Sequence, residues 1–246
     1  MKQILFLAPL VLAGCAALLG PTSPFALDRK GETVEFNYAW SAEAAAIPAL
    51  VRRLRADLET SWSAASTTAQ ADRGNAAASR RPFNGHKFSR RWTTAGQSPR
   101  LLSLDGQTLI VTGAAQPSHG AEGLLWDRST RAEIKPERLF TNEGDYGKLV
   151  HTPYCVTLEG ERTKRRGTSV GAGKAFSNCP PLSALAIVPA DGDGDRRFDR
   201  FRLIAASGVA GPHAEGRYDI AVPVTAALRA ALKPAYRSSF EGAQPQ

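Results

Sequence analysis

The chain has 246 residues, of which 43% are hydrophobic and 22% are charged, a composition that is ordinary for a globular protein and excludes a disordered chain. The formal net charge is +8, which raises the question of a nucleic-acid partner. The Lys and Arg residues are scattered apart from a cluster at residues 162–166, and they form no stripe with aromatic residues, so we expect no nucleic-acid partner.

The N-terminus has the pattern of a bacterial lipoprotein signal. Lys2 supplies a positive charge, residues 4–12 are apolar, and Leu12-Ala13-Gly14 precede Cys15. This pattern predicts a signal peptide at residues 1–14 and a lipid on Cys15, which anchors the protein without a membrane-spanning helix. The alternatives are an ordinary secretory signal cut near residue 16 or 17 and a short N-terminal anchor. Ala16 after the cysteine favours the outer membrane over the inner one.

The next predicted elements are a tether, a strand and a helix. Gly, Pro and Ser residues between 15 and 30 predict a flexible tether, and the alternation of apolar and polar residues at 32–38 predicts a strand. Apolar residues at helical spacing from Ile47 to Trp62 predict an amphipathic helix, with Ser41 as its N-cap and a bend at Pro48. The small and polar residues at 64–79 predict a frayed end or a loop.

Strands are predicted to dominate the middle of the chain. Residues 88–94 form one strand, and residues 100–111 form two strands that turn at Asp105-Gly106, because both turn residues tolerate positive φ. A second hairpin is predicted at 123–134, with its turn at 127–130.

The C-terminal half is predicted to contain helices and three further strands. Residues 136–140 and 145–159 are expected to be helical, although Pro153 weakens the second assignment. Strands are expected at 184–188, 198–206 and 217–222. Thr225 is expected to cap a last helix that contains Leu228 and Leu232.

This order of elements predicts an α+β fold with a mixed, mostly antiparallel sheet, packed by an N-terminal and a C-terminal amphipathic helix. We divide the chain after the signal into the tether at 15–30, an N-terminal α+β unit at 31–118 and a C-terminal α+β unit at 119–242. The two units are expected to pack as one globule.

Lipidation of Cys15 leaves Cys155 and Cys179 as a pair. Disulfides persist outside the cytoplasm, so we predict a disulfide between them. The closed loop of about 24 residues stabilises the fold by roughly 3.5 kcal/mol on the chain-entropy model. The two cysteines form no CxxC motif and have no histidine at ligand spacing, so no redox or zinc site is expected.

An acidic segment forms the strongest candidate metal site. Its four carboxylates, at relative positions 1, 3, 5 and 9, can converge on a calcium ion, and they belong to Asp191, Asp193, Asp195 and Asp199. The EF-hand pattern is not met, because Arg196 and Arg202 occupy the positions of its glycine and glutamate. The alternative is a polar turn whose acids are neutralised by neighbouring arginines. We expect no cofactor other than this structural calcium.

No catalytic site is evident from the sequence. Residues 167–171 match the G-x-S-x-G string of a nucleophile elbow, but no predicted strand precedes them. The histidines, at positions 86, 119, 151 and 213, have no paired metal-ligand spacing, and the four tryptophans are expected in the core. We therefore assign no catalytic residue.

Several segments together resemble a known family of envelope domains. They are residues 36–38 with 42–58, residues 112–115, residues 124–134 with Leu139-Phe140, and residues 217–240. As a set they resemble the extracytoplasmic domain of the RsiV-type anti-sigma factors, and a related module accompanies the peptidoglycan deacetylase PdaC. The resemblance covers most of residues 32–240 and implies an α+β fold and an envelope location. The family's Gly-Gly-Ala-His turn reads Gly113-Ala114-Ala115-Gln116 here, with His119 displaced.

The signalling function of that family is not expected here. The best understood member type senses lysozyme by binding it, and an anti-sigma factor passes its signal through a transmembrane helix to a cytoplasmic segment, whereas here we expect neither. A basic lysozyme is also repelled by a basic partner, unless an acidic patch is segregated.

We therefore predict a lipid-anchored protein of the bacterial outer membrane that faces the periplasm and has a non-catalytic domain. Its expected partner is a cell-wall component, such as peptidoglycan, or an envelope protein, a lysozyme-like wall enzyme among them. The alternative is an envelope hydrolase that acts on cell-wall or glycan substrates. A pocket that joins a buried acid to His119 or His213 favours the hydrolase, whereas an exposed aromatic or basic groove favours binding.

Overall fold

The computed structural model describes residues 23–113, 116–168 and 174–242. The predicted signal peptide and Cys15 lie outside the described residues. The described part has the predicted α+β fold, with one six-stranded sheet, one three-stranded sheet and helices on both outer faces. None of its helices combines the length and the apolar character needed to span a bilayer.

The first sheet is mixed and mostly antiparallel, as predicted. Only β2 and β3 pair in parallel, because a helix connects them and returns the chain to the same end of the sheet. In spatial order its strands are β1 (Phe25–Lys30), β2 (Val34–Trp40), β3 (His86–Gln97), β4 (Leu101–Val111), β5 (Ser118–Asp127) and β6 (Ala132–Ile134).

Two predicted boundaries differ from the observed elements. Residues 25–30, which we assigned to the tether, form β1, because they pair with β2 and Phe25 stacks on Trp40 at 3.7 Å between ring centroids. The predicted division after residue 118 falls at the start of β5. Since β5 and β6 complete the first sheet, that division cuts through one structural layer.

Two helices replace the single bent helix that we predicted. Ser41 caps the short α1 (Ala42–Ala45), and Pro48 is the first residue of α2 (Pro48–Ala78), where its missing N–H costs no hydrogen bond. The predicted loop at 64–79 is wrong, because alanine-rich sequence continues α2 to Ala78 with Ala69 fully buried. The apolar stripe of α2 packs on the first sheet through Leu50, Leu54 and Leu58.

The predicted hairpin at Asp105-Gly106 is also wrong, since β4 is one continuous strand. Gly106 lies under the ring of Trp92, and a Cβ there would stand 2.6 Å from Trp92 Cζ3. Asp105 is buried and pairs with Arg202 of the second sheet at 3.1 Å. The two residues therefore serve packing rather than a turn. The predicted second hairpin is confirmed as β5 and β6.

The second sheet packs on the first. Its antiparallel strands are β7 (Ala186–Ala190), β8 (Arg200–Ala205) and β9 (Tyr218–Pro223). One face contacts the first sheet through a small apolar cluster that includes Val188, Ile204 and Ala121. The opposite face carries the largest core cluster, which packs against the C-terminal helices.

Those helices lie in two groups along the chain. A 3-10 turn at Pro136–Leu139 precedes α3 (Glu143–Tyr146), a π-helical turn (Gly147–His151) and α4 (Thr152–Arg166), and Pro153 is tolerated because it lies in the first turn of α4. Thr225 caps α5 (Ala226–Ala231) as predicted, and α6 spans Pro234–Arg237. The protein is thus built in four layers, with α2 outermost on one side and these helices on the other.

Candidate functional site

The two sheets separate at one end and leave an open cleft of ≈ 680 Å³. One wall consists of the outer ends of β4 and β5, and the other is the loop at 206–217 between β8 and β9. Three of its side chains are histidine or arginine, and none of the described lining residues is Asp or Glu. The described lining residues are Gln107, Thr108, Gln116, Pro117, Ser118, His119, Gly120, Ala121, Ala206, Ser207, His213, Gly216 and Arg217.

The first wall presents His119 to the cleft. Successive side chains of a strand point to opposite faces, so His119 and Ala121 share the cleft face of β5, whereas Glu122 lies on the α2 face. Arg90 Nη1 stands 3.8 Å from Glu122 on that face. Burial raises the pKa of Glu122 despite this cation. The acid nearest to His119 along β5 is therefore directed away from it.

The second wall is held in place by three arginines at the end of α4. Arg162 is only 2% exposed and donates to the carbonyl oxygens of Ala210 at 2.9 Å and Asn178 at 3.0 Å. Arg165 donates to the carbonyls of Glu215 and Arg217, at 2.7 and 2.9 Å.

Arg166 donates two hydrogen bonds, of 2.6 and 2.9 Å, to the carboxylate of Glu215 in the same loop. These bonds lower the pKa of Glu215. The basic cluster that stands out in the sequence thus binds the protein's own loop.

The predicted disulfide between Cys155 and Cys179 is present, with Cα atoms 5.5 Å apart. It joins α4 to the segment that contains Asn178, one of the carbonyl partners of Arg162. His151 lies beside it, with Nε2 2.8 Å from the carbonyl oxygen of Pro180. The disulfide and Arg162 therefore fix the same segment to α4.

A chain of ion pairs links Arg217 to the interior between the sheets. Arg217 donates to Asp219 at 3.1 Å, and Asp219 also accepts from Arg202, whose other guanidinium nitrogen reaches the buried Asp105. Hydrogen bonds to Asp219 raise the pKa of Arg202. Because Asp219 has two arginine partners, Arg217 remains 42% exposed and has N–H groups free to face a ligand.

The cleft contains a serine and a histidine in contact. Ser207 Oγ lies 3.2 Å from His213 Nδ1 and 3.1 Å from the backbone carbonyl oxygen of His213, so its hydroxyl can donate to the carbonyl or to an unprotonated Nδ1. Among the described residues no carboxylate pairs with the imidazole, so this contact lacks the third group of a catalytic triad there.

Other sequence candidates have structural partners. His86 contacts Asp72 at 3.2 Å, and Gly167 of the G-x-S-x-G string ends α4 with φ of 73°, while Ser169 and Gly171 lie outside the described residues. Trp40, Trp92 and Trp126 are buried as predicted. Trp62 is partly buried and is covered by Arg29, 4.6 Å from its ring. Trp62 also lines an open cavity beside residues 31–34.

The acidic segment forms a compact loop between β7 and β8. Carboxylate oxygens of Asp191, Asp193 and Asp195 lie within 4.8 Å of one another, and each also accepts a backbone N–H within the loop. Asp199 is not part of this group, because Arg200 and the Gly192 N–H hold its carboxylate at 2.8 and 3.0 Å. Burial alone would raise the pKa of Asp199, but these hydrogen bonds lower it. Calcium binding by the first three residues stays a prediction.

Sequence reasoning singled out His119 and His213 but did not place them in one cleft. It missed Arg217, Ser207 and Gln107. Gln107 lies about a hundred residues before the other two along the chain and meets them only through the stacking of the sheets. The period-2 pattern of β9 was the one sequence signal for Arg217, because it places this residue at the start of a strand, next to a loop.

The fold has counterparts among solved structures. A DUF3298 family protein from Pseudomonas aeruginosa is 15% identical and superposes with a TM-score of 0.58 over 91% of this chain and 98% of that one. A DUF3298 member from Bacteroides fragilis is 14% identical, with a TM-score of 0.48 over 88% and 95% of the two chains. No family model and no curated protein matches the chain. The resemblance to RsiV-type domains stays a prediction. The similarity to the Pseudomonas aeruginosa structure shows that this chain shares the fold of a DUF3298 protein.

Proposed function

We propose that this chain is a non-catalytic binding protein of the bacterial envelope whose cleft holds the carboxylates of a cell-wall component. The lining of the cleft carries the proposal. It combines His119, His213 and Arg217 with neutral hydroxyl and amide groups, and its described lining includes no Asp or Glu. The Asp219 carboxylate, which contacts Arg217, is also paired with Arg202. Peptidoglycan stem peptides supply such carboxylates outside the cytoplasm.

Arg217 is the main recognition group in this proposal. A guanidinium can hold a carboxylate with two parallel hydrogen bonds, which are stronger than those between neutral groups. Gln107 and Ser207 also line the cleft and offer neutral hydrogen-bonding groups. Among the described residues neither cleft histidine has an acid partner, so the contact between Ser207 and His213 lacks the third group of a catalytic triad. Binding is therefore the function that this chemistry favours over the hydrolase alternative.

Arg217→Gln is expected to weaken binding of soluble peptidoglycan fragments about tenfold, because one charge-assisted hydrogen-bond pair is lost. The fold should tolerate the change, since Arg202 still pairs with Asp219. The measurement is isothermal titration calorimetry at low ionic strength with the exported domain. Arg52→Gln, on the exposed face of α2, removes the same charge away from the cleft and should leave affinity unchanged. Equal affinity of the two variants, or no binding by the unaltered protein, would refute the proposal.

The proposal includes a lipid anchor on Cys15 in the outer membrane, with the domain facing the periplasm. Leu12-Ala13-Gly14 before Cys15 support it. Globomycin, which blocks lipoprotein signal cleavage, should cause an unprocessed precursor to accumulate, visible on a gel as a larger species. Cys15→Ser should release the domain from the membrane fraction. Normal maturation under the drug would count against lipidation.

A further inference from the structure

The free part of β5 runs along the cleft. Strand β6 pairs only with Leu125, Trp126 and Asp127, at the far end of β5. Residues 118–124 pair with β4 on one side and have no strand on the other within the described chain. In an antiparallel sheet every second residue of an edge strand directs both its N–H and its C=O outward. About three residues of this segment therefore present unpaired backbone groups beside the cleft.

Within residues 118–124 this edge has no proline, no lysine and no bulge; Pro117 precedes it and Glu122 is its one acidic residue. Edge strands are commonly blocked by proline, lysine or a bulge. Residues 118–123 read Ser-His-Gly-Ala-Glu-Gly, and their register with β4 has no bulge. Gly120 and Ala121 leave the backbone uncovered, and residues 118–120 are exposed. An extended chain can therefore approach this backbone closely.

The charges beside the edge select the kind of chain. On the cleft face, His119 stands opposite a wall that carries His213 and Arg217, whereas on the opposite face Glu122 projects beside the strand. A strand added here places alternate side chains on these two faces. Acidic side chains are favoured on the cleft face and neutral ones on the Glu122 face.

We infer that the ligand of this cleft is an extended peptide segment with alternating acidic and neutral residues, which pairs with residues 118–124 of β5 as an additional strand. The inference rests on the proposed function, because it makes the cleft the site where the acidic side chains are held. Main-chain hydrogen bonds to β5 contribute affinity, and Arg217 with the histidines contributes specificity. A second copy of this basic chain fits the edge less well, because it brings like charges together.

The test uses a capped peptide, Val-Asp-Val-Asp-Val-Asp-Val, and two isomers that carry three N-methyl groups each, either at the three Asp residues or at the last three Val residues. The N–H groups of alternate residues point to opposite edges of an extended strand, so only one isomer blocks the edge that faces β5. That isomer should bind at least about tenfold more weakly than the parent peptide, whereas the other should bind within about threefold. Amide exchange in residues 118–124 should slow when the parent peptide binds.

The outcomes separate this inference from the proposed function. Equal binding of the two isomers overturns strand addition. A dimer in sedimentation whose residues 118–124 are already protected from amide exchange overturns it as well. Binding of peptidoglycan fragments without binding of the parent peptide also overturns it and leaves the proposed function standing. Failure of Arg217→Gln to weaken either ligand removes the proposed function itself.

Discussion

Replacing Gly123 by alanine is expected to force the two sheets apart and to destabilise the protein by about 3 kcal/mol. A Cβ at this position would lie 2.3 Å from the carbonyl oxygen of Ile187 in β7 and 3.2 Å from Val188 Cγ2. The closest obstacle is backbone, so no side-chain rotation can relieve the overlap. Either β7 must move away from β5 or the free end of β5 must bend, and both changes disturb the cleft.

The measurement is urea denaturation followed by far-UV circular dichroism, with ligand binding recorded on the same preparation. Gly160→Ala is the matched control, because Gly160 lies inside α4 with no atom within 4 Å of the added methyl. Alanine at that position is expected to stabilise the helix by about 1 kcal/mol. A Gly123→Ala protein as stable as the unaltered one would show that β7 does not pack on β5 at this distance.

The role of Gly123 illustrates which parts of the fold the sequence could predict. The alternating pattern of β2 and the apolar residues of β3 and of the second sheet located these strands within a few residues, because such patterns reflect the burial of the strand itself. The predictions for Asp105-Gly106 and for residues 64–79 were wrong because the structure there depends on residues that are distant in the sequence. Gly106 is required by the ring of Trp92, and the alanines of α2 owe their burial to a distant surface, so neither cause is local.

The same distinction explains what was missed in the candidate site. The lipid, disulfide and acidic-loop predictions came from short motifs or from the pairing of rare residues, which single-sequence reasoning can find. The cleft depends on how β5 meets the β8–β9 loop, and the position of that loop depends on arginines of α4 that precede it by about fifty residues. The cluster at 162–166 was visible, but Arg162 and Arg165 bind backbone carbonyls, which leave no trace in side-chain patterns, and the carboxylate that Arg166 binds belongs to the distant Glu215.

Arg162 is the buried member of the three arginines that hold the loop, and Arg162→Met is expected to destabilise the protein by about 3 kcal/mol. Methionine keeps much of the apolar volume but cannot donate to the carbonyls of Ala210 and Asn178, which then lose their guanidinium partner in the interior. Glu159, at 3.5 Å, also loses its cation. Because Ala210 belongs to the loop that carries His213 and Arg217, ligand affinity should fall together with stability.

Urea denaturation and calorimetric titration of the same variant measure both effects. Lys164→Met removes a neighbouring positive charge whose partner is Glu161 on the surface of α4, and it should change neither stability nor affinity measurably. Arg162→Lys should fall between the two, because one ammonium cannot serve carbonyls on both segments with the geometry of a guanidinium. An unchanged denaturation midpoint for Arg162→Met would mean that the loop is held by Arg165, Arg166 and the core alone. In that case Arg162 would be buried without supporting the cleft, and α4 would hold the binding wall through Arg165 and Arg166 instead.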